Sequence, residues 1–547
     1  MRTVASYFYA VFLIGIVGIL YVGLYFVYNY HQSLSYEVKT LHNQLQELHT
    51  QTSTATQLQQ EKNNALQVLP QVSSSGAYWE HLQTQIQDTV VQVFTQIMEI
   101  NWIEPYRVPQ MGMSTGSGFF IDDQGHFVTN AHVVDQASSV YIQIPTFGKH
   151  QFEVKIIGVM PEKDLALLQV GQDCIDMLIS VHGKVPFLQL GDSDTVKRSA
   201  EVMALGYPLG QQSLKSTTGV ISGHELGMIQ MSAAINPGSS GGALLNMRGQ
   251  VIGINRAGVT SAQNVGYMIP INDLKIYLED LKKGGLIRKP YLGIYQAPSS
   301  EELVRCLGNP MPGGVYIADV LPDSPLFSQI QPGDMIYEIN GHRIDMYGEM
   351  SVPWSEDKIS VGEYVGRLRV GQKVTLVVYR NGARKDLECN FERRKLAPIR
   401  QIFPMYEPID YEIFGGLVVM ELTLNHLPIL TMMSPGLTKF AEHANQDKPI
   451  LVITKVLPES LAFRSRSPLT ATILKKVNDR EVHSLQELRE AIAQSKDLVK
   501  IENGDHVIVA FDTQKMLAVE SKLAMMHGYQ ITSGVKSLQD ALAANLA

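Results

Sequence analysis

Between Thr89 and Ile269 the chain is cut at short intervals into β-branched and apolar runs separated by Gly, Asp and Asn. Gly118-Phe-Phe-Ile-Asp-Asp-Gln-Gly125, Val140–Ile144, Val154–Gly158, Leu165–Val170, Val202–Gly206 and Val251–Ile254 all read this way. Runs this short, with turn residues between them, cannot supply the 3.6-residue periodicity of long helices. They imply an all-β sandwich or barrel. This region is one part of a 547-residue chain. At about 100–200 residues per domain, three or four domains are expected.

Composition removes several function classes. Apolar residues are 45% and charged residues 18%, enough to build cores and wrong for a disordered chain. Lys and Arg number 45 against 53 Asp and Glu, a net charge of −8 that argues against a nucleic-acid partner. Cys174, Cys306 and Cys389 lie far apart and have neither metal-ligand spacing nor a disulfide framework. No phosphate-binding Gly-x-x-x-x-Gly-Lys-Ser/Thr loop occurs, so nothing points to ATP. No cofactor and no metal are expected.

Thr3–Tyr30 carries no charged side chain, and Tyr9–Leu24 is apolar on every helical face. Crossing a bilayer takes roughly 20 such residues. Tyrosines flank both ends, as membrane interfaces favour. The run exceeds a signal-peptide core, and no small-residue cleavage site follows it. A transmembrane anchor over 1–30 is therefore expected, with the bulk of the chain outside. Over 31–76, Val38, Leu41, Leu45, Leu48, Thr52 and Ala55 form a short heptad seam that suits a coiled-coil stalk or a flexible tether equally.

Three segments of the β-rich region carry chemistry: Val128-Thr-Asn-Ala-His132-Val-Val, Asp164-Leu-Ala-Leu-Leu168 and Asn236-Pro-Gly238-Ser239-Ser240-Gly241-Gly242. A serine hydroxyl is a weak nucleophile and needs a base in hydrogen-bond reach. A neutral imidazole suits that role, and a carboxylate behind it fixes the tautomer. Glycines beside the serine let backbone N–H groups converge where an oxyanion would develop.

In this His–Asp–Ser order the segments resemble the HtrA/Deg family of chymotrypsin-fold serine proteases. The resemblance implies a double β-barrel protease domain over 77–288. His132 is then the general base, Asp164 its orienting partner and Ser240 the nucleophile. The oxyanion hole falls at Gly238, Ser239 and Ser240, with Gly238 and Ser240 as donors. Ser239 stands where the family usually has Asn, and Ala243 where it often has Pro. His126 precedes the strand leading to His132, Asp122 and Asp123 read as turn residues, and Asp192 and Asp194 sit in a loop like the family's Leu-Gly-Asp-Ser segment. None of these is chosen for the triad, and Ser239 is the rival nucleophile. Six residues before the serine, where a basic-specific enzyme of this fold carries a carboxylate, stands Ala234. Ile235, Met268 and Ile269 are then candidate walls of a small apolar pocket, suited to Val, Ala or Ile. Plain core strand is the competing reading of these three residues.

Asn272–Lys283 has helical spacing, with Asn272 as a candidate cap and Gly284-Gly285 as a stop. From Lys289-Pro-Tyr291-Leu292-Gly293-Ile294, through Pro332-Gly-Asp334, to Val374–Tyr379 the chain resembles a PDZ domain, placed at 289–396. Its peptide-carboxylate loop would be Tyr291, Leu292, Gly293 and Ile294, with a C-terminal peptide added to the sheet edge. Met346–Leu368 resembles an insert of the plant organellar Deg branch. Val320-Leu-Pro-Asp-Ser324 recurs as Val456-Leu-Pro-Glu-Ser460, which predicts a second copy over 397–547. There Phe414-Gly-Gly-Leu417 replaces the loop and the Pro-Gly-Asp turn is lost, so the second groove reads as degenerate. A closing strand over Val507–Asp512 and a helix should complete it.

The expected fold is mainly β: an N-terminal transmembrane helix, a chymotrypsin-like double barrel and two PDZ-like α+β domains. The resemblance implies an ATP-independent endopeptidase acting on unfolded or damaged proteins, assembled as a homotrimer or a multiple of trimers. A single-pass inner-membrane protein facing the periplasm is expected, with a eukaryotic organelle membrane as the alternative. The competing function is a chaperone or peptide-binding scaffold with a latent protease site.

Overall fold

The computed structural model describes residues 79–80, 82–83, 86–256, 265–290, 292–322, 324–392 and 396–546. The chain divides into two units, Met1–Glu80 and His81–Ala547, and of the first only Trp79 and Glu80 are described. The expected anchor over 1–30 and stalk over 31–76 lie outside the described residues. No helix among the described residues is long and apolar enough to cross a membrane.

In the second unit the short runs become two six-stranded barrels. The first contains β1 (Val90–Glu99), β2 (Gln110–Phe120), β3 (His126–Thr129), β4 (Ala137–Gln143), β5 (Phe152–Met160) and β6 (Leu165–Val170). Pairings run β1-β2-β3-β6-β5-β4 and return to β1. Alternation along the strands sends Val91, Val93, Phe120, Phe127, Ile142, Phe152 and Leu168 into one buried cluster. The second barrel contains β7 (Glu201–Gly206), β8 (Lys215–Glu225), β9 (Met228–Met231), β10 (Ala243–Asn246), β11 (Val251–Arg256) and β12 (Gly266–Pro270), closed in the order β7-β8-β9-β12-β11-β10. Its core is smaller, built on Val202, Ile221, Ile229, Met231, Leu244, Ile252 and Met268.

A helix, Ile271–Lys283, leaves the second barrel. It begins one residue before Asn272, after Pro270, whose fixed φ suits a helix entry. Asn272 is not the cap: its amide instead donates to Asp192 Oδ1 at 2.7 Å. Asp273 is buried against Lys163 at 2.6 Å.

Two modules of like plan come next. In the first, Ile294–Ala297, Val315–Val320, Met335–Ile339, Lys373–Arg380 and Ala383–Asn390 form a sheet in that order. Helix Val361–Val365 is set by a capping box of Ser360 and Glu363. Asp334, from the Pro-Gly-Asp turn, is buried and takes two 2.7 Å bonds from Arg380. The second module has strands Glu412–Phe414, Leu417–Glu421, Leu451–Val456, Thr472–Val477, Leu498–Asn503 and Ile508–Asp512, with helix Leu485–Ala493 capped by Ser484. Two helices, Thr513–His527 and Ser533–Leu546, complete it where one was expected.

The internal repeat has a structural cause. In the first copy the Leu321 N–H donates to Gly293 O at 2.9 Å, and Ser324 Oγ donates to Leu292 O at 2.6 Å. In the second, the Leu457 N–H donates to Gly416 O at 2.8 Å, and Ser460 Oγ donates to Leu457 O at 2.6 Å. The leucine of the repeated segment thus ties down the glycine loop in both modules, and the serine does so in the first, while Ser460 closes the turn of its own segment.

The β1–β2 hairpin reaches from the first barrel to the second module. Its ten residue pairs run from Val90–Phe119 to Glu99–Gln110. At its tip the Ile103 carbonyl accepts from Thr454 Oγ1 at 2.8 Å, Trp102 meets His426 edge-on at 5.5 Å, and Tyr106 meets Tyr529 at 5.7 Å.

Candidate active site

Asp164 ends the short turn Pro161–Lys163 in a left-handed conformation, φ +55°, and β6 begins at the next residue. Its N–H closes the turn onto Pro161 O at 3.0 Å. The turn aims the carboxylate at Ala131–Val133, the single helical turn that carries His132. Oδ1 accepts the His132 backbone N–H at 3.0 Å, and both carboxylate oxygens lie 2.9 Å from His132 Nδ1. The Asn130 amide donates to Asp164 O at 3.2 Å. Asp164 is buried and the His132 side chain is 49% exposed. With Nδ1 committed to the carboxylate, Nε2 is the nitrogen left for proton transfer.

Ser240 lies on the loop Asn236–Gly242 between β9 and β10. The Ser239 N–H turns back to Asn236 O at 2.9 Å, and the Gly242 N–H donates to Ser239 O at 3.1 Å. Pro237 O accepts from the Leu209 N–H at 2.6 Å, and Gly238 O from Ser117 Oγ at 2.8 Å. In a trans peptide the carbonyl and the following N–H point opposite ways. Fixing the Pro237 and Ser239 carbonyls therefore turns the N–H groups of Gly238 and Ser240 the other way. Among the described residues neither N–H has an acceptor. The Ser239 N–H is spent in the turn, so the donors available to an oxyanion are those of Gly238 and Ser240.

Close packing sets this loop beside the histidine turn. Gly241 has φ +85°, and a Cβ there would strike Ser117 O and Thr129 Oγ1. The Ser117 N–H donates to Ser240 O at 2.8 Å. The structure thus joins His132 to Asp164 and sets Ser240 on the adjoining loop. Among the described residues no hydrogen bond links Ser240 Oγ to His132.

The other candidates have partners of their own. His126 pairs with Asp122 at 2.8 Å, and Asp194 with Arg367 at 2.8 Å. Asp192 accepts from the Asp194 N–H and from Asn272, and the Asn272 bond above all holds its carboxyl below the ordinary range. Ala234 is exposed. Ile235 and Met268 meet in the core cluster of the second barrel, and Ile269 is not part of it. Ile269 instead lines a cavity of about 610 Å³ with Asp164, Arg256, Met228 and Trp354, between the second barrel and the insert of the first PDZ-like module.

Two residues of this site were not singled out from sequence. Ser117 holds the Asn236–Gly242 loop at two points, and Arg256 stands with Nε 3.1 Å from Asp164 Oδ2. The signals available were a serine between Gly116 and Gly118 and a charge ending an apolar strand.

Of the expected carboxylate loop, Tyr291 lies outside the described residues. Leu292, Gly293 and Ile294 line a second cavity, about 660 Å³, between strand Ile294–Ala297 and helix Val361–Val365. Among the described residues that strand pairs on one side only, with Val315–Val320. Leu396, Ala397, Arg400, Leu424, His443 and Gln446 close the far wall. In the second module the matching edge is taken. Glu412–Phe414 pairs with Leu417–Glu421, and Arg489 on helix Leu485–Ala493 binds Glu412 at 2.9 Å and Asp410 at 2.6 Å.

Residues 116–254 match the family described as trypsin-like peptidase domain, and residues 290–391 and 405–536 each match a PDZ domain family. A probable periplasmic serine endoprotease DegP-like from Marinomonas sp. (strain MWYL1) is 32% identical over 303 residues, 53% of this chain and 60% of that relative. One of the same description from Hahella chejuensis (strain KCTC 2396) is 32% identical over 298 residues, 52% of this chain and 58% of the relative. The chain thus spans about three-fifths of the length of these relatives. Among solved structures, the HtrA-type protease AlgW with tripeptide is 27% identical, covers 58% of this chain and 98% of its own, and superposes with a TM-score of 0.46.

Proposed function

We propose that this chain, a homologue of the DegP/HtrA serine endoproteases with a trypsin-like peptidase domain and two PDZ domains, is itself an ATP-independent serine endopeptidase. One observation carries the reading: among the described residues the N–H groups of Gly238 and Ser240 have no acceptor, and they lie beside an imidazole held by a buried carboxylate. In the mechanism, Ser240 Oγ attacks the scissile carbonyl and its proton passes to His132 Nε2. Asp164 stabilises the imidazolium, and the N–H groups of Gly238 and Ser240 hold the oxyanion. His132 then gives the proton to the leaving amine, and water repeats the sequence to release the acyl group.

The proposal extends to substrates and setting. Ala234 in place of a carboxylate, with Ile235 and Met268 in one apolar cluster, supports cleavage after Val, Ala or Ile. The open groove at Leu292, Gly293 and Ile294 supports capture of C-terminal peptides of unfolded or damaged proteins. Relatives named periplasmic, with the apolar run over 1–30, support a catalytic part held in the periplasm by an inner-membrane anchor. The family resemblance supports assembly in trimers.

A fluorophosphonate probe tests the core of this. Wild type should be labelled, Ser240→Ala should not, and Ser239→Ala should be. Labelling that survives Ser240→Ala removes Ser240 as nucleophile. A second reading, a peptide-binding scaffold with a latent protease, is favoured by the missing Ser240–His132 hydrogen bond. It predicts no labelling of wild type until a C-terminal peptide is added.

A further inference from the structure

Arg256 ends β11, and its Nε lies 3.1 Å from Asp164 Oδ2, the oxygen that also lies 2.9 Å from His132 Nδ1. The contact is an ion pair without the alignment of a hydrogen bond, and Nη1 is turned toward Met228 Sδ at 3.4 Å. Arg256 therefore does little to orient the carboxylate. The turn at Asp164 and the two contacts to His132 already do that. What Arg256 adds is charge. Its side chain is 45% exposed, on the wall of the cavity shared with Lys163, Glu225, Asp273, Glu349 and Lys358.

That charge bears on the acylation step. As the Ser240 Oγ–carbon bond forms, the Oγ proton moves to His132 Nε2 and the carbonyl π pair moves to the oxygen. A full positive charge then appears on the imidazole. Asp164 favours it, and a guanidinium already seated on the same carboxylate opposes it. We propose that Arg256, acting through Asp164 by its charge, is an electrostatic brake on the serine reaction. The proposal rests on the endopeptidase reading above.

The test measures the second-order rate of fluorophosphonate labelling, with kcat and KM on a chromogenic peptide ester, for the full chain. Arg256→Gln should label about two- to tenfold faster than wild type, as expected for a half-exposed charge. Its kcat should rise with KM unchanged, and Arg256→Lys should stay near wild type. Raising salt from about 0.01 M to about 0.5 M should speed wild type more than Arg256→Gln, because the variant lacks only the guanidinium and the other charges of the cavity are screened alike in both. Should Arg256→Gln fold poorly, Arg256→Met, measured in the same way, takes its place. A neutral variant of wild-type melting temperature that labels no faster, or a salt response equal in variant and wild type, overturns the brake. Absence of labelling in every form overturns the endopeptidase reading itself, whereas labelling of wild type with a slower Gln variant overturns the brake alone.

Discussion

A hydroxyl, an imidazole and a carboxylate can be recognised as types in a string of letters, but what holds them cannot. Ser117 illustrates the difference. Its Oγ donates to Gly238 O and accepts the Tyr207 N–H at 2.9 Å, so one small side chain pins two loops. The first of those partners is 121 residues away. No local pattern marks such a bond, whereas His132, Asp164 and Ser240 stand in segments whose composition advertises them. Ser117→Ala should slow labelling by roughly 10- to 100-fold through a loosened oxyanion loop, less than the loss of a whole donor. The melting temperature, measured beside it, should fall only a few degrees. For Asp164→Asn the chemistry predicts a drop of about 10³–10⁴ in kcat, because an amide sets the wrong tautomer on His132 while leaving its geometry intact. An Asn variant within tenfold of wild type would remove Asp164 from the mechanism.

Among elements, legibility followed periodicity. Strands with β-branched runs and the helix Ile271–Lys283, with its helical spacing and the glycines that stop it, were readable because local physics decides them. The filled edge of the second module was not. Glu412–Phe414 looks like any short strand, and it is Arg489, 77 residues on, that fastens it beside helix Leu485–Ala493. Glu412 is fully buried there, bonded by Arg489, Thr532 Oγ1 and the Gly534 N–H. Removing Arg489 leaves a buried carboxylate short of its cation, so Arg489→Ala should cost about 3–5 kcal/mol in urea unfolding. The same arrangement predicts one peptide site per chain. A peptide with an apolar C-terminal residue should perturb amide signals of Ile294–Ala297 and leave those of Leu417–Glu421 unchanged. Titration with a stoichiometry of two would contradict it.

Across the molecule, two buried groups of the second module respond to acid in opposite senses. Burial pushes the His426 imidazole down to about 4 from 6.5. Its contribution to stability is complete above 6.5 and drains away as the pH falls toward 4. Burial raises the Glu520 carboxyl to about 7 from 4.5, so the cost of its charge is felt above 7 and fades as the pH falls to 4.5. Wild type should therefore change little between these limits. Between about pH 6.5 and 5, Glu520→Gln should lose roughly 2 kcal/mol of unfolding free energy and His426→Asn should gain as much. Parallel slopes in the two variants would refute the assignment.

His426 also meets Trp102, at the far end of the β1–β2 hairpin whose near end carries Ser117. A shortened chain that stops after the peptidase domain would thus leave Trp102, Ile103 and Tyr106 bare to water, a greasy tip inviting self-association. It would also set loose one end of the ribbon that steadies the Ser240 loop. Expressing the catalytic part alone is therefore not a neutral simplification, and sluggish or clumping preparations of it would speak about the missing dock more than about the chemistry.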